Sequence, residues 1–266
     1  MIGQLFQTIF VSPITNGLIL FYNFFLSLHI PGAFGFAVIG LTVVIRLLLH
    51  PFMQSQIDTS KKMQRIKPHL DALSKKHKND KVKLQEEQAR LYKEHNINPM
   101  SGCLFMILQI PLVLALYQTL SMFLTKSPAE VIATVNKAAY APFLHVQAVD
   151  PLFFGLNLAF SPAKSGIIWY MAVPIITGLL QYLQARVTTQ VTNPTPVKAA
   201  DADKPKKDGK KNEAPAGDFQ QAMNMQMKYF MPVMIGVFSY QLPIGLSLYW
   251  NIFSLFSIIQ YRSSKA

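Results

Sequence analysis

An arginine lies within an apolar stretch that is long enough to cross a membrane. Residues 34–55 are almost entirely apolar as far as Leu49, and Arg46 is the cation among them. A charged side chain at membrane depth costs roughly 3 kcal/mol or more on insertion scales, so it normally faces water or the protein interior. The alternative is that the side chain bends along the helix toward the lipid headgroups. The segment is predicted to be a transmembrane helix, and Arg46 is its leading candidate for a functional residue.

Composition places the chain among membrane proteins. Of its 266 residues, 51% are hydrophobic and 14% are charged, and the mean hydropathy is positive. Such a chain is expected to consist mainly of membrane spans. The single cysteine, Cys103, excludes an internal disulfide, and its place at the start of an apolar run predicts a small buried residue rather than a nucleophile.

The basic residues are distributed unevenly and so predict an orientation. Residues 1–45 contain no Lys or Arg, 53–98 contain eleven, 126–165 contain three and 186–228 contain eight. Cytoplasmic loops carry the excess of Lys and Arg, which predicts that the N-terminus is outside and that the short tail 262–266 is inside. The basic segments also suit contact with anionic lipids or ribosomal RNA.

The first 30 residues are apolar but are interrupted by polar side chains. Asn16 and Asn23 lie among the apolar residues of 1–30, and neither a basic n-region nor a small-residue cleavage site is present. This pattern predicts an external, interfacial amphipathic helix. A further full span is the alternative, although it would place residues 1–10 inside with no basic residue to hold them there.

Residues 56–98 are predicted to form a cytoplasmic helical hairpin. Met63, Ile66 and Leu70 lie three or four residues apart, as on one stripe of a helix, and a second helix is predicted over 81–95. The stripe is narrow, so much of the hairpin is expected to be exposed. The alternative is a pair of solvated helices that only connect two spans.

Four further spans complete the predicted fold, which is an all-α polytopic membrane protein with five transmembrane helices. The last apolar stretch, 229–261, is too long for one crossing and is basic at both ends, so a turn is predicted at Pro243 to Gly245. Within the cytoplasmic loop 187–228, residues 192–218 have the composition of a disordered linker. The four spans are predicted over 101–124, 166–186, 229–242 and 245–261, with an external loop over 125–165.

The order and spacing of several short motifs resemble the YidC family of membrane protein insertases. The similarity covers about residues 34–262, and the five-span layout resembles the shorter bacterial members. The chain departs from that pattern in lacking an N-terminal lipoprotein cysteine and in the length of its linker. The motifs are Thr-Val-Val-Ile-Arg-Leu-Leu-Leu-His-Pro at 42–51, Asn-Pro-Met-Ser-Gly-Cys at 98–103, Gln-Ile-Pro at 109–111, Ala-Leu-Tyr at 115–117, Pro-Ile-Gly-Leu at 243–246, Tyr-Trp at 249–250 and Gln260.

The resemblance implies a bacterial plasma membrane protein that inserts and chaperones other membrane proteins. It implies a hydrated, positively charged groove that is open to the cytoplasm and to lipid, with lateral release of the client. Nascent membrane proteins and the ribosome are the implied partners, and the Sec translocon is left open as a third. No cofactor, metal or catalytic residue is expected. By position, the groove would be lined by Arg46, Thr42, Gln181 and Trp250, with Val113, Thr177 and Phe238 as apolar contacts.

Two other classes of function compete with an insertase. A small anion transporter or channel would use Arg46 as its substrate site, but the internal repeat with matching broken helices that is typical of transporters is not evident. An intramembrane enzyme would need clustered catalytic groups, and the candidates His50 and Cys103 have no obvious partner. For Gln181 an interhelical hydrogen bond, and for Trp250 a lipid-facing position, are equally compatible with the sequence.

Overall fold

The structure is a computed structural model that describes residues 2–77, 80–97, 101–124, 127–192 and 226–263. Apart from Thr192, the predicted linker 192–218 lies outside the described residues, as do the motif residues 98–100. The helices are α1 (Ile2–Phe6), α2 (Ser12–Ser27), α3 (Ala33–Leu48), α4 (His50–Lys76), α5 (Lys81–Glu94), α6 (Ser101–Leu124), α7 (Pro128–Ala138), α8 (Pro162–Ser165), α9 (Ala172–Thr192), α10 (Met231–Gln241) and α11 (Ile244–Ser263).

Short irregular helices extend several of these elements. A π-helical turn at Gln7–Val11 joins α1 to α2, and a second one at Gln226–Phe230 precedes α10. Turns of 3₁₀-helix occupy Pro142–Leu144 and Ile168–Met171. The described part of the chain is therefore mostly helical, as the sequence predicts.

Several helices are apolar enough for a membrane. Among the described residues, Gly3–Ser27 and Ile244–Ser263 have the length and composition of a membrane span. The pair Ala33–Leu48 and His50–Met63 has them when taken together, although it is bent by 58°. The bend falls at Leu49, just before Pro51, whose ring removes a backbone donor and crowds the carbonyl one turn earlier. Arg46 consequently lies in the last turn of α3 rather than in the middle of a straight helix.

Residues 127–171 form a cap over one end of the helix bundle. The backbone N–H groups of Ile244 and Gly245, which begin α11, donate to Phe160 O and Leu158 O in the cap at 3.0 Å each. The Tyr22 hydroxyl donates to a cap carbonyl at 3.1 Å. We call the part of the bundle against the cap the capped half, and the part from which α4 and α5 project the hairpin half.

The cap corrects the all-α prediction in one detail. Strands β1 (Leu152–Phe153) and β2 (Leu156–Asn157) pair antiparallel, with Phe153 opposite Leu156. The two residues between them, Phe154 and Gly155, both have positive φ, at 48° and 78°. A two-residue loop with positive φ at both positions is the turn that matches strand twist in a hairpin. The sequence lacks the usual Asn-Gly or Asp-Gly signal for this turn and therefore does not predict the hairpin.

The N-terminal helices cross the capped half. Gln7 Nε2 donates to Gln118 Oε1 at 2.8 Å, and the hydroxyls of Thr15 and Thr119 lie 3.0 Å apart. Both partners lie in the last two turns of α6, at its capped end. Gln7 and Tyr22 are about 22 Å apart along the helix at ~1.5 Å per residue, yet both contact the capped half. The capped core also contains Phe34, which packs edge-on against Tyr22.

The projecting helices α4 and α5 form a small core of their own. Ile66 and Leu70 of α4 are buried with Ile97, which follows α5. The Asp80 carboxylate accepts a hydrogen bond from the Lys83 backbone N–H at 3.0 Å and so caps α5. The stripe of apolar residues noted in the sequence therefore packs against the second helix, and most other side chains of the pair are at least partly exposed.

Candidate functional site around Arg46

The Arg46 guanidinium is buried against α11. Its relative exposure is 4%, which is unusual for a charged residue. Nη2 donates to Phe253 O at 2.6 Å and also to the Ser257 hydroxyl. The guanidinium carbon lies 3.5 Å from the centroid of the Phe253 ring, which places the cation over an aromatic face. Arg46 is therefore directed across the bundle and not along α3.

Residues of α11 are spaced to receive this side chain. Phe253 and Ser257 are four positions apart, so they lie on the same face of the helix, one turn from each other. The Ser257 hydroxyl also donates to Phe253 O at 3.1 Å. The carbonyl of Phe253 thus accepts from both side chains. A carbonyl and a hydroxyl that are already part of α11 provide the acceptors for this cation, and no acidic side chain pairs with it among the described residues.

A cavity opens beside Arg46 on the hairpin half. Its volume is about 240 Å³, and it lies where α3 bends into α4 and faces the last turns of α11. Its walls combine polar and apolar side chains, which suits a site for a segment that carries both. The lining residues are Arg46, Leu47, His50, Gln54, Phe256, Ile259, Gln260 and Ser263.

Buried polar atoms are concentrated on the helices of this bundle. Within the described ranges, no protein group hydrogen-bonds Arg46 Nε, Gln56 Oε1, Gln109 Oε1, Gln184 Oε1 or Asn251 Oδ1. These atoms belong to five different helices, α3, α4, α6, α9 and α11. Buried polar atoms in folded proteins are nearly always satisfied by protein or by ordered water.

Thr42 and Trp250 lie on the two helices that hold Arg46. Thr42 is one turn before Arg46 on α3 and is buried, and its hydroxyl donates to Val38 O at 2.6 Å. Trp250 is 9% exposed on α11, and its carbonyl accepts from the Ser254 hydroxyl at 2.8 Å. The structure therefore brings Arg46, Thr42 and Trp250 to the α3–α11 pair, although neither Thr42 nor Trp250 is among the described residues that line the cavity.

The other predicted site residues lie elsewhere in the bundle. Thr177 on α9 is fully buried and belongs to a hydroxyl cluster with Ser239 on α10, at 3.4 Å. Gln181, one turn further along α9, is partly exposed. Phe238 is 44% exposed on α10. Val113 of α6 is partly buried and packs against the capped core. None of these four is among the described residues that line the cavity.

Two contacts of the site were not foreseen from the sequence, those of Phe253 and Ser257 with the guanidinium. Gln109, a polar residue within the span 101–124, bonds a neighbouring helix, since its Nε2 donates to the Tyr249 hydroxyl at 3.2 Å. A serine one turn after an aromatic residue in an apolar helix is a weak signal, since such serines usually bond to their own helix. Within the described residues, no cluster of three or more His, Cys, Asp or Glu side chains could hold a metal ion. The Cys103 side chain lies outside what the structure describes.

The fold and the site together define a class of protein. Apolar helices that surround a buried arginine beside a cavity, with charged helices projecting from the same end, are those of a helical membrane protein with a polar internal site.

Comparison with known proteins identifies the family. Residues 25–265 match the family described as 60Kd inner membrane protein. A relative from Clostridium perfringens, named membrane protein insertase YidC, is 30% identical over 261 residues, which cover 94% of this chain and 89% of the relative. The chain therefore belongs to the YidC family, and the resemblance noted in the sequence is confirmed.

Two more relatives show how chain length varies. The membrane protein insertase YidC of Alkalihalophilus pseudofirmus is 31% identical over 239 residues, which cover 86% of this chain and 71% of the relative. That of Pseudoalteromonas atlantica is 28% identical over 254 residues, 95% of this chain but 36% of the relative. The chain thus spans most of the shorter relatives and about a third of a much longer one.

Proposed function

We propose that this protein is a bacterial membrane protein insertase and chaperone that captures clients at the Arg46 cavity and releases them sideways into the bilayer. The observation that carries the proposal is a guanidinium that is 4% exposed in a helical bundle, donates to two neutral acceptors and lines a cavity of about 240 Å³. The family's curated relatives are named membrane protein insertases, which supports the same function.

Hydration of the site follows from its unpaired polar atoms. A buried polar atom without a hydrogen bond costs about 1–3 kcal/mol, and water is the group that usually removes this cost. Arg46 itself lines the cavity, and no described protein group bonds to its Nε. A wet cavity at this depth shortens the apolar distance that a polar client segment must cross.

The charge of Arg46 supplies the attraction for such a segment. Since Phe253 O and the Ser257 hydroxyl are neutral acceptors, the guanidinium keeps its full positive charge. A carboxylate that approaches it is attracted more strongly in this partly desolvated site than in bulk water. The acidic or polar tail of a client can therefore pause here without the aid of nucleotide or metal, and the site acts by binding rather than by covalent catalysis.

Lateral release would use the exposed apolar faces of the last helices. Leu179 of α9 is 56% exposed, and Val237 and Phe238 of α10 are 51% and 44% exposed. These residues suit contact with lipid tails or with the apolar helix of a client. In this proposal Gln181 and Thr177 mark the inner wall of the path and Phe238 its lipid side, while Val113 supports the wall from α6.

The same proposal gives the protein five spans. The capped half then faces outside and the hairpin half faces the cytoplasm, because Lys and Arg are concentrated in 53–98 and 186–228. The N-terminal helix lies at the outer interface, since Gln7 and Tyr22 both contact the capped half despite their separation. Both the hairpin 56–98 and the tail 262–266 are then available to the ribosome, and basic side chains there can contact anionic lipids.

Insertion of paired clients tests the role of Arg46. We expect Arg46→Ala in proteoliposomes to lower insertion of a client with an acidic external tail by about tenfold, since a buried charged partner is lost. Arg46→Lys should keep most of the activity because it keeps the charge. The control is the same client with its acidic residues made neutral, for which the loss should be much smaller. Equal losses for both clients would contradict electrostatic capture.

Photocrosslinking tests the location of the path. Crosslinkers at positions 42, 46, 181 and 250 should react with a ribosome-tethered nascent membrane protein, whereas one at the exposed cap residue Phe143 should not. Anion flux through client-free vesicles that depends on Arg46 would instead favour the transporter.

A further inference from the structure

The tip of the cap hairpin combines backbone strain with exposure. Phe154 has φ +48°, a left-handed conformation that Gly, Asn and Asp adopt far more readily than a bulky residue. Its ring is 80% exposed, so little packing within the chain offsets that strain. The neighbouring Leu152 is 51% exposed. If this tip lay in water, an asparagine at position 154 would tolerate both the left-handed backbone and the exposure better than phenylalanine does.

The base of this hairpin is fixed firmly to α3. The Phe153 ring is buried and covers Gly35, where an added Cβ would lie 2.1 Å from Phe153 Cδ2. The Leu152 backbone N–H donates to Asp150 Oδ1 at 3.0 Å. The hairpin therefore presents Phe154 in a defined place.

That place is beside the first turn of an apolar helix. The rings of Phe36 and Phe154 are 6.0 Å apart, and Phe36 is the fourth residue of α3, which belongs to the bent candidate span. Phe24, which is 54% exposed, extends the same aromatic surface through its contact with Phe25. Aromatic side chains at the ends of membrane helices are typical of the interface between water and lipid.

The tip also lacks the charges that an aqueous loop normally carries. No Asp, Glu, Lys or Arg occurs between Asp150 and Lys164, and none occurs in residues 1–45, which supply the rest of the aromatic surface. A surface that is apolar, uncharged and continuous with the end of a candidate span matches a lipid bilayer better than a charged protein partner.

We propose that the hairpin tip, Leu152 to Gly155, inserts into the interfacial layer of the membrane leaflet on the capped side and holds the cap against the bilayer. Burial of the Phe154 ring among lipids offsets the strain of its turn. The proposal is independent of insertase activity, because it concerns how the cap is seated and not how a client is bound.

Fluorescence quenching in lipid vesicles that contain only this protein tests the insertion. In a Cys103→Ser background, an environment-sensitive dye is attached at Leu152→Cys or, as the control, at Lys164→Cys, which is exposed on the same cap. Lipids spin-labelled near the headgroup should quench the dye at 152 at least about threefold more than the dye at 164, as for an interfacial residue. Aqueous iodide should show the opposite order.

The variant Phe154→Asn separates membrane contact from packing. Asparagine tolerates the left-handed turn, so we expect an unchanged or higher Tm together with about twofold weaker lipid quenching of the dye at 152. Equal iodide access at 152 and 164 in vesicles would overturn the proposal. Protection of 152 only in native membranes would also overturn it, because a protein partner would then cover the tip.

Discussion

The capped half and the hairpin half of the bundle satisfy their polar groups in different ways. In the capped half, Asn16 bonds to Ser12 O, Ala138 O and the Tyr140 backbone N–H, so that its amide ties the N-terminal helix to the cap. In the hairpin half, Arg46 Nε and Gln184 Oε1 have no bonding partner among the described protein groups. The capped half is closed by its own hydrogen bonds, whereas the hairpin half leaves polar atoms for water or a client.

Under the proposed function, this difference would let the protein admit a client without opening a pore. Apolar packing at the capped end would provide the seal, and the cation at the other end would provide the attraction. The exception in the cap is Ser161 Oγ, a buried hydroxyl without a bonding partner in the described chain. The comparison predicts that substitutions in the capped half alter stability, while those around Arg46 alter insertion.

The largest effect on stability is expected at Gly35. A Cβ there would lie 2.1 Å from Phe153 Cδ2, inside the buried ring that seats the cap. Overpacking of this kind costs typically 1–3 kcal/mol, so Gly35→Ala should lower the free energy of unfolding by about 2 kcal/mol. Thermal unfolding in detergent measures it. Gly3→Ala is the control, since nothing lies within 4 Å of its added Cβ, and an equal loss there would refute the packing argument.

Loss of the Tyr22 hydroxyl should have the next largest effect. This group donates to Ala148 O at 3.1 Å and accepts from the Asp150 backbone N–H at 3.2 Å. Tyr22→Phe leaves both cap groups without this partner and should cost about 1–2 kcal/mol of stability. Tyr140→Phe is the matched control because that ring is 64% exposed. Insertion activity per folded molecule should stay the same, and a selective loss of activity would break the division between the two halves.

A smaller effect, on insertion alone, is expected at Ser257. Ser257→Ala removes one of the two acceptors of Arg46 and leaves the bond to Phe253 O and the ring contact. We expect insertion of the acidic-tailed client to fall about threefold. This fold-change corresponds to the lower end of the free energy of one net hydrogen bond, about 0.5–1.5 kcal/mol. Ser254→Ala is the control, since the Ser254 hydroxyl bonds to Trp250 O in its own helix. If both variants lose equally, the effect belongs to α11 and not to Arg46.

The smallest effect is expected for a charge pair in water. Arg90 Nε and Glu94 Oε1 of α5 are 3.0 Å apart, but the two side chains are 73% and 52% exposed. Glu94→Gln should change stability by no more than about 0.5 kcal/mol. Urea denaturation of the full chain in detergent at low and high salt checks this value. A loss of more than about 1 kcal/mol, the upper end for exposed pairs, would show that the hairpin charges are less solvated than their exposure indicates.

Sequence patterns predicted the helices well where apolar residues and helix breakers coincide. The helix predicted over 101–124 is observed as Ser101–Leu124, and the break near Pro243 is observed between Gln241 and Ile244. The contacts that individual side chains make within the bundle were less predictable. The hydrogen-bond partner of Thr177, a predicted groove contact, was not evident from the sequence. Its hydroxyl accepts from Ser239 on α10, because a hydroxyl in an apolar helix bonds equally well to a neighbouring helix.

The sequence by itself determined that this is a helical membrane protein of the YidC family and that Arg46 is its exceptional charge. Those conclusions rest on hydropathy, charge distribution and motif order, which are local properties of the chain. The tertiary structure alone decided that Arg46 binds Phe253 and Ser257, more than 200 residues away, and that Phe153 seats the cap on Gly35. Such contacts depend on how helices cross and bend, and one residue at Leu49 turns the chain by 58°.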